Sequence, residues 1–159
     1  SHANILCFFN MKAIFLVVVS LALAYSFVPT VTICSTAGAK LKIETISWMP
    51  HDLKKNEKVE LKVKGDLTES ITMGSEINAK VSLDGIPVVN KKFNLCDEVK
   101  KINITCPIPA QTKALTYNAT LPSVLPVGKI KAEANAYDAQ GNELFCIKGG
   151  ADIPPVPEN

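Results

Sequence analysis

From residue 41 onward, apolar and polar residues alternate along the chain with a period of two. Residues 59–64, for example, read Val-Glu-Leu-Lys-Val-Lys. Successive side chains of a β-strand point to opposite faces, so this spacing gives a strand with one apolar and one charged face. Each apolar face must be covered by another sheet, and the alternation therefore predicts two sheets packed together.

Further segments with the same alternation follow. Their apolar members are Ile77, Ala79, Val81 and Leu83, then Phe93 and Leu95, then Leu115, Tyr117, Ala119 and Leu121, then Ile130, Ala132, Ala134 and Ala136. Asp84-Gly85 predicts a hairpin turn, and Gln140-Gly141-Asn142 precedes a closing strand predicted at residues 144–153. No segment after residue 26 has a helical stripe with caps. About seven short strands therefore predict an all-β antiparallel sandwich.

The composition excludes several classes of function. The chain has 17 Lys, no Arg and 15 acidic residues, a net charge of +2, which does not provide the cationic surface that nucleic acids need. With two His residues and no C-x-x-C or Cys/His spacing, a metal site has little support. We expect no enzyme activity, no metal and no cofactor.

Two pairs of residues remain as candidates for acid–base chemistry, His51-Asp52 and Asp97-Glu98. We interpret His51 as a solvated loop residue, because no nucleophile motif accompanies it. Asp97 and Glu98 follow a predicted strand, on which neighbours point to opposite faces, so we interpret them as solvated too. The lysine doublets at 54–55, 91–92 and 100–101 are interpreted as charge for solubility, with a membrane-surface role as the alternative.

The N-terminal region predicts secretion. Met11 and Lys12 precede the apolar stretch 13–24, and Ala22-Leu23-Ala24 supplies a small-x-small cleavage site. The stretch is shorter than the about 20 apolar residues that a membrane-spanning helix needs. We expect an extension and signal peptide at residues 1–24, one domain at 25–153 and a Pro-rich tail at 154–159.

Cleavage at this site leaves four cysteines, an even number that predicts disulfides in an oxidising compartment. Three pairings are possible. The short separation of Cys96 and Cys106 favours pairing them with each other, and Cys34 with Cys146. Two sequons, at Asn103 and Asn118, predict N-glycosylation of a secreted chain.

Small side chains mark one of the predicted strands. Ala132, Ala134 and Ala136 occupy an apolar face where a sandwich core usually carries larger residues. Either the sheets approach closely there, or space remains between them that holds a ligand. Trp48, at the end of a predicted strand, likewise either plugs the core or lines the mouth of a pocket.

Several segments taken together resemble the ML (lipid-recognition) domain family. They are Cys96 with Cys106-Pro107-Ile108, Tyr117, Leu121-Pro122, Pro126-Val127-Gly128-Lys129 and Leu144-Phe145-Cys146-Ile147, with Lys64-Gly65, Gly74-Ser75 and Phe93-Asn94-Leu95-Cys96-Asp97 upstream. The resemblance runs from about Cys34 to Asp152. It is strongest to the phosphatidylglycerol/phosphatidylinositol transfer branch, because the short-range Cys pair of the Niemann–Pick type C cholesterol carrier is replaced here by residues 48–52.

The resemblance implies an immunoglobulin-like sandwich with an internal apolar cavity that holds a lipid tail or a sterol. It also implies the pairs Cys34–Cys146 and Cys96–Cys106. On this basis the alanines mark space rather than close packing. The residues expected to line the cavity are Val63, Ile77, Val81, Phe93, Tyr117, Ala132, Ala134 and Ala136.

The function implied by the resemblance is lipid carriage. We expect a monomer, secreted or in the endosomal or lysosomal lumen, that carries phospholipid or sterol and transfers it during transient contact with membranes. The alternative is a lipid-sensing or adhesion module that presents a surface to a receptor. A carrier should retain lipid on purification, whereas a receptor module should bind its protein partner without lipid.

Overall fold

The computed structural model describes residues 26–155. The predicted signal peptide at 1–24 and residues 156–159 of the predicted tail lie outside them. The elements are β1 (Thr30–Ile33), β2 (Leu41–Met49), β3 (Lys58–Leu67), β4 (Glu76–Leu83), β5 (Ile86–Asn94), α1 (Leu95–Lys100), β6 (Ala114–Thr120), β7 (Gly128–Tyr137) and β8 (Glu143–Ile153).

All strand pairs are antiparallel and form two sheets. One sheet has five strands in the order β1-β8-β7-β4-β5, and the other has three in the order β2-β3-β6. The predicted all-β sandwich is therefore confirmed. The structure has eight strands rather than seven, because β1 adds a four-residue strand at the edge beside β8. A segment of four residues is too short for the alternation to identify.

The turn between β4 and β5 forms where the sequence predicts it. Asp84 and Gly85 both have positive φ angles, of 49° and 85°. A two-residue hairpin turn of this kind requires positive φ at both positions, and Asp-Gly adopts it readily. The closing strand β8 likewise follows Gly141, which has a φ of 85°.

The short helix α1 corrects the prediction that a strand continues from Phe93 through Leu95. The Asn94 side chain accepts a hydrogen bond from the Asp97 backbone N–H at 3.2 Å and so caps the helix. Asp97 and Glu98 thus lie in the first helical turn, where carboxylates are favoured by the helix dipole. Six residues do not make enough turns to show a helical period, which is why the sequence pattern missed the helix.

The two ends of the sandwich differ in packing. At one end, which we call the closed end, the buried core consists of Leu67, Ile71, Leu95, Ile108, Ala136 and Leu144. Both predicted disulfides, Cys34–Cys146 and Cys96–Cys106, are formed there. At the other end, which we call the open end, the β2–β3 loop (50–57), the β4–β5 turn (84–85) and the β6–β7 loop (121–127) come together.

A buried ion pair also lies at the closed end. Lys40 Nζ is 2.6 Å from Asp138 Oδ2 and 2.5 Å from Glu69 Oε2. The Asp138 carboxylate also accepts the backbone N–H groups of Gln140 and Asn142, at 2.9 and 2.8 Å. The ammonium of Lys40 is the main cause that holds the pKa of Asp138 well below its usual range, and Asp138 in turn raises the pKa of Lys40.

Loss of the Cys34–Cys146 disulfide is expected to destabilise the domain more than loss of Cys96–Cys106. The first links residues 112 apart in sequence and the second residues 10 apart, so the first removes more entropy from the unfolded chain. We expect Cys34→Ala/Cys146→Ala to lower the free energy of unfolding by about 2–5 kcal/mol, measured in urea. Equal losses in the two double variants would contradict this account.

Asp138→Asn is expected to lower the melting temperature at pH 7 and to have less effect in acid. The folded pKa of Asp138 lies below its unfolded value of about 3.9, so the carboxylate stabilises the fold above that pH. The contribution is lost as the pH falls through the folded pKa. Melting curves between pH 7 and 2 should therefore show the two proteins converging, whereas the exposed control Asp52→Asn should track the wild type throughout.

Candidate functional site

The inner face of the five-stranded sheet is recessed because small side chains recur in its rows. Read across β4, β7 and β8, the rows are Ile77-Ala136-Phe145, Ala79-Ala134-Ile147, Val81-Ala132-Gly149 and Leu83-Ile130-Ala151. Every row contains at least one Ala or Gly. A sandwich core normally fills the roughly 10 Å between sheets with large side chains from both, so this face leaves room.

The facing side of the three-stranded sheet carries larger side chains. Its inner rows, read across β2, β3 and β6, are Ile46-Val63-Leu115 and Trp48-Leu61-Tyr117. Leu67 of the three-stranded sheet and Ala136 of the five-stranded sheet belong to one buried cluster, and Leu41 packs against that cluster. The inner faces of the two sheets therefore meet there. The two sheets therefore enclose a gap with one wall of small residues and one wall of aliphatic and aromatic residues.

Burial varies along this gap. Ala136 is completely buried, with 0% of its surface exposed, and Leu67 has 2% exposed. Farther along, Tyr117 and Val89 occupy inner-face positions and yet are 39% and 38% exposed. The apolar walls are thus covered at the closed end and partly meet solvent in the middle of the gap, whereas Val59 and Ile153 at the open end are buried again.

The space enclosed next to the closed end is small. It has a volume of about 40 Å³ and is lined by Leu41, Val63, Leu67, Ile71, Ile108 and Leu115, among others. Pockets that hold drug-sized ligands measure about 300–1,000 Å³. An acyl chain would therefore fit between the sheets only if the sheets moved apart. The exposed inner-face side chains mark the positions where contact between the two sheets is weakest.

A larger concavity, about 720 Å³, lies on the outer face of the five-stranded sheet. Its polar walls include Lys80, Lys131 and Lys148, and Lys148 Nζ is 3.6 Å from Glu133 Oε2. None of the lining residues belongs to the three-stranded sheet. The lining also includes Val81, Ala132, Gly149 and Ala151 of the inner-face rows. Because no second sheet covers this groove, we place the candidate site in the gap between the sheets.

All eight residues predicted to line a cavity lie at inner-face positions. Val63 and Tyr117 belong to the three-stranded sheet, and the other six to the five-stranded sheet. The structure brings Val81, Ala132 and Ala134 together in adjacent rows. Ala136 and Ile77 instead belong to the closed-end core and its margin. Contact of these residues with a ligand stays a prediction.

Three of the six Ala or Gly residues in these rows, Ala79, Gly149 and Ala151, are missing from the set predicted from the sequence. Ile147, Gly149 and Ala151 continue the wall on β8, where each lies opposite an inner-face residue of β7. A signal for them is present, since these three residues alternate within the predicted closing strand. Two of the three are as small as the β7 alanines, and this similarity in size could have identified them.

Trp48 lies at the open end and is half-buried. Its indole Nε1–H donates a hydrogen bond to the backbone carbonyl of His51 at 3.2 Å, and the two rings stack with centroids 6.3 Å apart. The indole thus braces the β2–β3 loop at the end of an inner-face row. His51 is exposed, as expected for a solvated loop residue.

Asp84 ties the β4–β5 turn to the start of β7 at the open end. Its Oδ1 accepts the backbone N–H of Lys129 at 2.7 Å. Gly128, with a φ of 125°, makes this approach possible, because a Cβ there would lie 2.5 Å from Asp84 Oδ2.

Both predicted glycosylation sites are accessible in the fold. Asn118 is exposed on β6 opposite Glu60, on the outer face of the three-stranded sheet, and Asn103 is exposed after α1. Within residues 26–155, no helix is long and apolar enough to cross a membrane. The same residues contain no cluster of three or more His, Cys, Asp or Glu suited to a metal ion.

Two curated relatives share the name phosphatidylglycerol/phosphatidylinositol transfer protein. The one from Pyricularia oryzae is 30% identical over 107 residues, which cover 67% of this chain and 60% of that protein. The one from Aspergillus fumigatus is 25% identical over 119 residues, which cover 75% of this chain and 68% of that protein. The chain thus spans about three-fifths to two-thirds of the length of these relatives.

Two solved structures share the fold. A Niemann-Pick type C2 protein from Japanese carpenter ant has a TM-score of 0.51 at 13% identity, covering 78% of this chain and 99% of its own. Chicken MD-1 complexed with lipid IVa has a TM-score of 0.57 at 10% identity, covering 80% and 90%. At such identities the likeness concerns the fold alone. Residues 30–153 match the family model described as ML domain, and the chain therefore belongs to the ML domain family.

Proposed function

We propose that this protein binds the acyl chains of a phospholipid, or a sterol, between its two sheets and carries the lipid between membranes. The observation that supports this most is the pair of apolar inner faces, one built of small side chains, that are partly exposed beyond the closed end. Burying apolar lipid surface there gains about 25 cal/mol per Å². Carriage of this kind makes and breaks no covalent bond.

The relatives support the same proposal. The Pyricularia and Aspergillus proteins are named for transfer of phosphatidylglycerol and phosphatidylinositol, and MD-1 was solved with lipid IVa. We infer a phospholipid as the first ligand to test and a sterol as the second. The disulfides support a secreted or endosomal or lysosomal location, because such bonds persist in oxidising compartments.

Lipid uptake requires the sheets to separate beyond the 40 Å³ space at the closed end. The closed end is held by its apolar core, by two disulfides and by the Lys40–Asp138 pair. We infer that this end acts as the hinge and that separation occurs toward the open end. β1, β2, β5 and β6 are edge strands with a neighbour on one side only. β1 is followed directly by the disulfide-bonded Cys34, whereas β5 and β6 carry no such bond at the open end.

Apolar side chains at the open end offer a surface for transient contact with a bilayer. Ile86 and Val88 project from β5 beside the hairpin turn, and Val124 from the β6–β7 loop, all strongly exposed. Lys54 and Lys55 lie in the neighbouring β2–β3 loop. Exposed apolar groups beside lysines are typical of surfaces that contact anionic membranes. A receptor-presenting module would use the same patch for a protein partner, and lipid uptake distinguishes the two functions.

Ala134→Phe is expected to reduce uptake of fluorescent phospholipid severalfold while the melting temperature changes little. The added ring would occupy the space between the sheets that the lipid needs. Thr116→Phe, at an exposed outer-face position of β6, is the control and should leave uptake unchanged. A loss of about 1–3 kcal/mol in the free energy of unfolding of Ala134→Phe would show instead that the alanines are tightly packed.

Ile86→Glu is expected to slow transfer between vesicles severalfold, because a carboxylate at the open end opposes contact with the bilayer. Met73→Glu provides the matched control: Met73 is 66% exposed, against 68% for Ile86, but lies at the closed end. Lipid retained per protein molecule should be equal in both variants. Equal transfer rates would place the membrane contact elsewhere on the surface.

A further inference from the structure

Lys91 is the one charged residue at an inner-face register position in the eight described strands. It lies on β5 opposite Ala79, between the inner-face residues Val89 and Phe93. The other inner-face positions of both sheets are Ala, Gly or larger apolar and aromatic residues. A charged residue on an apolar face requires an explanation, because packing an ammonium against apolar side chains does not stabilise the fold.

The ammonium of Lys91 lies at the lateral rim of the gap, along the edge strand β5. Its Nζ lies 5.3 Å from the centroid of the Phe93 ring, within the range of a cation–π contact. The residue is exposed, and no carboxylate of residues 26–155 forms an ion pair with it. A lysine can lay its methylene stem along apolar surface while the ammonium stays in water, where an anion can reach it.

Protection of an edge strand is the simplest competing explanation. β5 is an edge strand, and inward-pointing charges discourage edges from pairing with other chains. However, β5 already carries Lys92, which points to the outer face and lies 3.5 Å from Glu76. Edge protection would also give Lys91 no influence on which lipid is bound, and this difference can be measured.

We propose that Lys91 binds the phosphate of an anionic phospholipid whose acyl chains lie between the sheets. The inference rests on the proposed function and adds a residue that selects the headgroup. A lipid in the gap places its phosphate at the rim, where an ammonium–phosphate contact is a charge-assisted hydrogen bond. Lipids with a net negative charge gain more from it than zwitterionic phospholipids or sterols.

The test compares uptake of fluorescent phosphatidylglycerol and phosphatidylcholine from otherwise identical vesicles. We expect wild-type protein to prefer phosphatidylglycerol by about threefold to tenfold, the effect of one partly exposed charged contact. Lys91→Met should abolish this preference, whereas Lys91→Arg should retain it. Lys92→Met, on the outer face of the same strand, removes an equal charge and should keep the wild-type ratio.

The outcomes separate this inference from the proposed function. Uptake of both lipids with an unchanged preference in Lys91→Met would overturn the role of Lys91 and leave lipid carriage standing. Equal uptake of the two lipids by the wild type would also overturn the role of Lys91 and leave lipid carriage standing. If the wild type takes up neither lipid, the proposed function itself fails. Melting temperatures establish that each variant is folded. If Lys91→Met does not fold, Lys91→Gln takes its place in the comparison.

Discussion

The architecture depends on how firmly the two sheets are held together at one end. Leu67 and Ala136, one from each sheet, belong there to one buried core. The Cys34–Cys146 bond fixes the start of the connection from β1 to β2 on β8, within the five-stranded sheet. The second disulfide attaches α1 to the segment before β6. With this end secured, the rest of the gap does not need tight packing for the domain to remain folded.

That division would resolve a conflict built into the proposed function of lipid carriage. A close-packed core is stable because large side chains interdigitate, but the same packing excludes a ligand. Here the small residues of β7 and β8, such as Ala132 and Gly149, reduce cohesion across the gap. The stability lost there is supplied at the closed end by covalent bonds and by the buried Lys40–Asp138 pair, neither of which depends on the distance between the sheets farther along.

Most of the fold is predictable from the sequence because it follows from period-two alternation and turn chemistry. The alternation alone assigns Ala132 and Val63 to apolar inner faces, and the Asp84-Gly85 hairpin follows from its backbone requirements. β1 and α1 are not predictable in this way, since four and six residues carry too little pattern. The size of the gap is not predictable either, because it depends on how the two sheets meet and not on the residues of one strand.

The role proposed for Lys91 is hidden in the sequence for a related reason. As one member of a lysine doublet, Lys91 is interpreted as charge for solubility, and its neighbour Lys92 fits that interpretation. Alternation counted from Phe93 puts Lys91 on the inner face and Lys92 on the outer face, and the register agrees, with Lys91 beside Ala79 and Lys92 beside Asn78. The sequence alone does not show that this face borders a gap, nor that no carboxylate pairs with Lys91, so the doublet gives no sign of a separate role.

The hydrogen bond from the Lys129 backbone to Asp84 has a consequence for the apolar tips of the open end. Because it joins the β4–β5 turn to the start of β7, the turn before Ile86 and the strand after Val127 form one braced unit and not two independent segments. In the proposed contact with a membrane, a bilayer would meet a preorganised surface, and little conformational entropy would be lost. The brace is continuous with β4 and β7, so a displacement of this end would reach the strands that form the wall of small side chains.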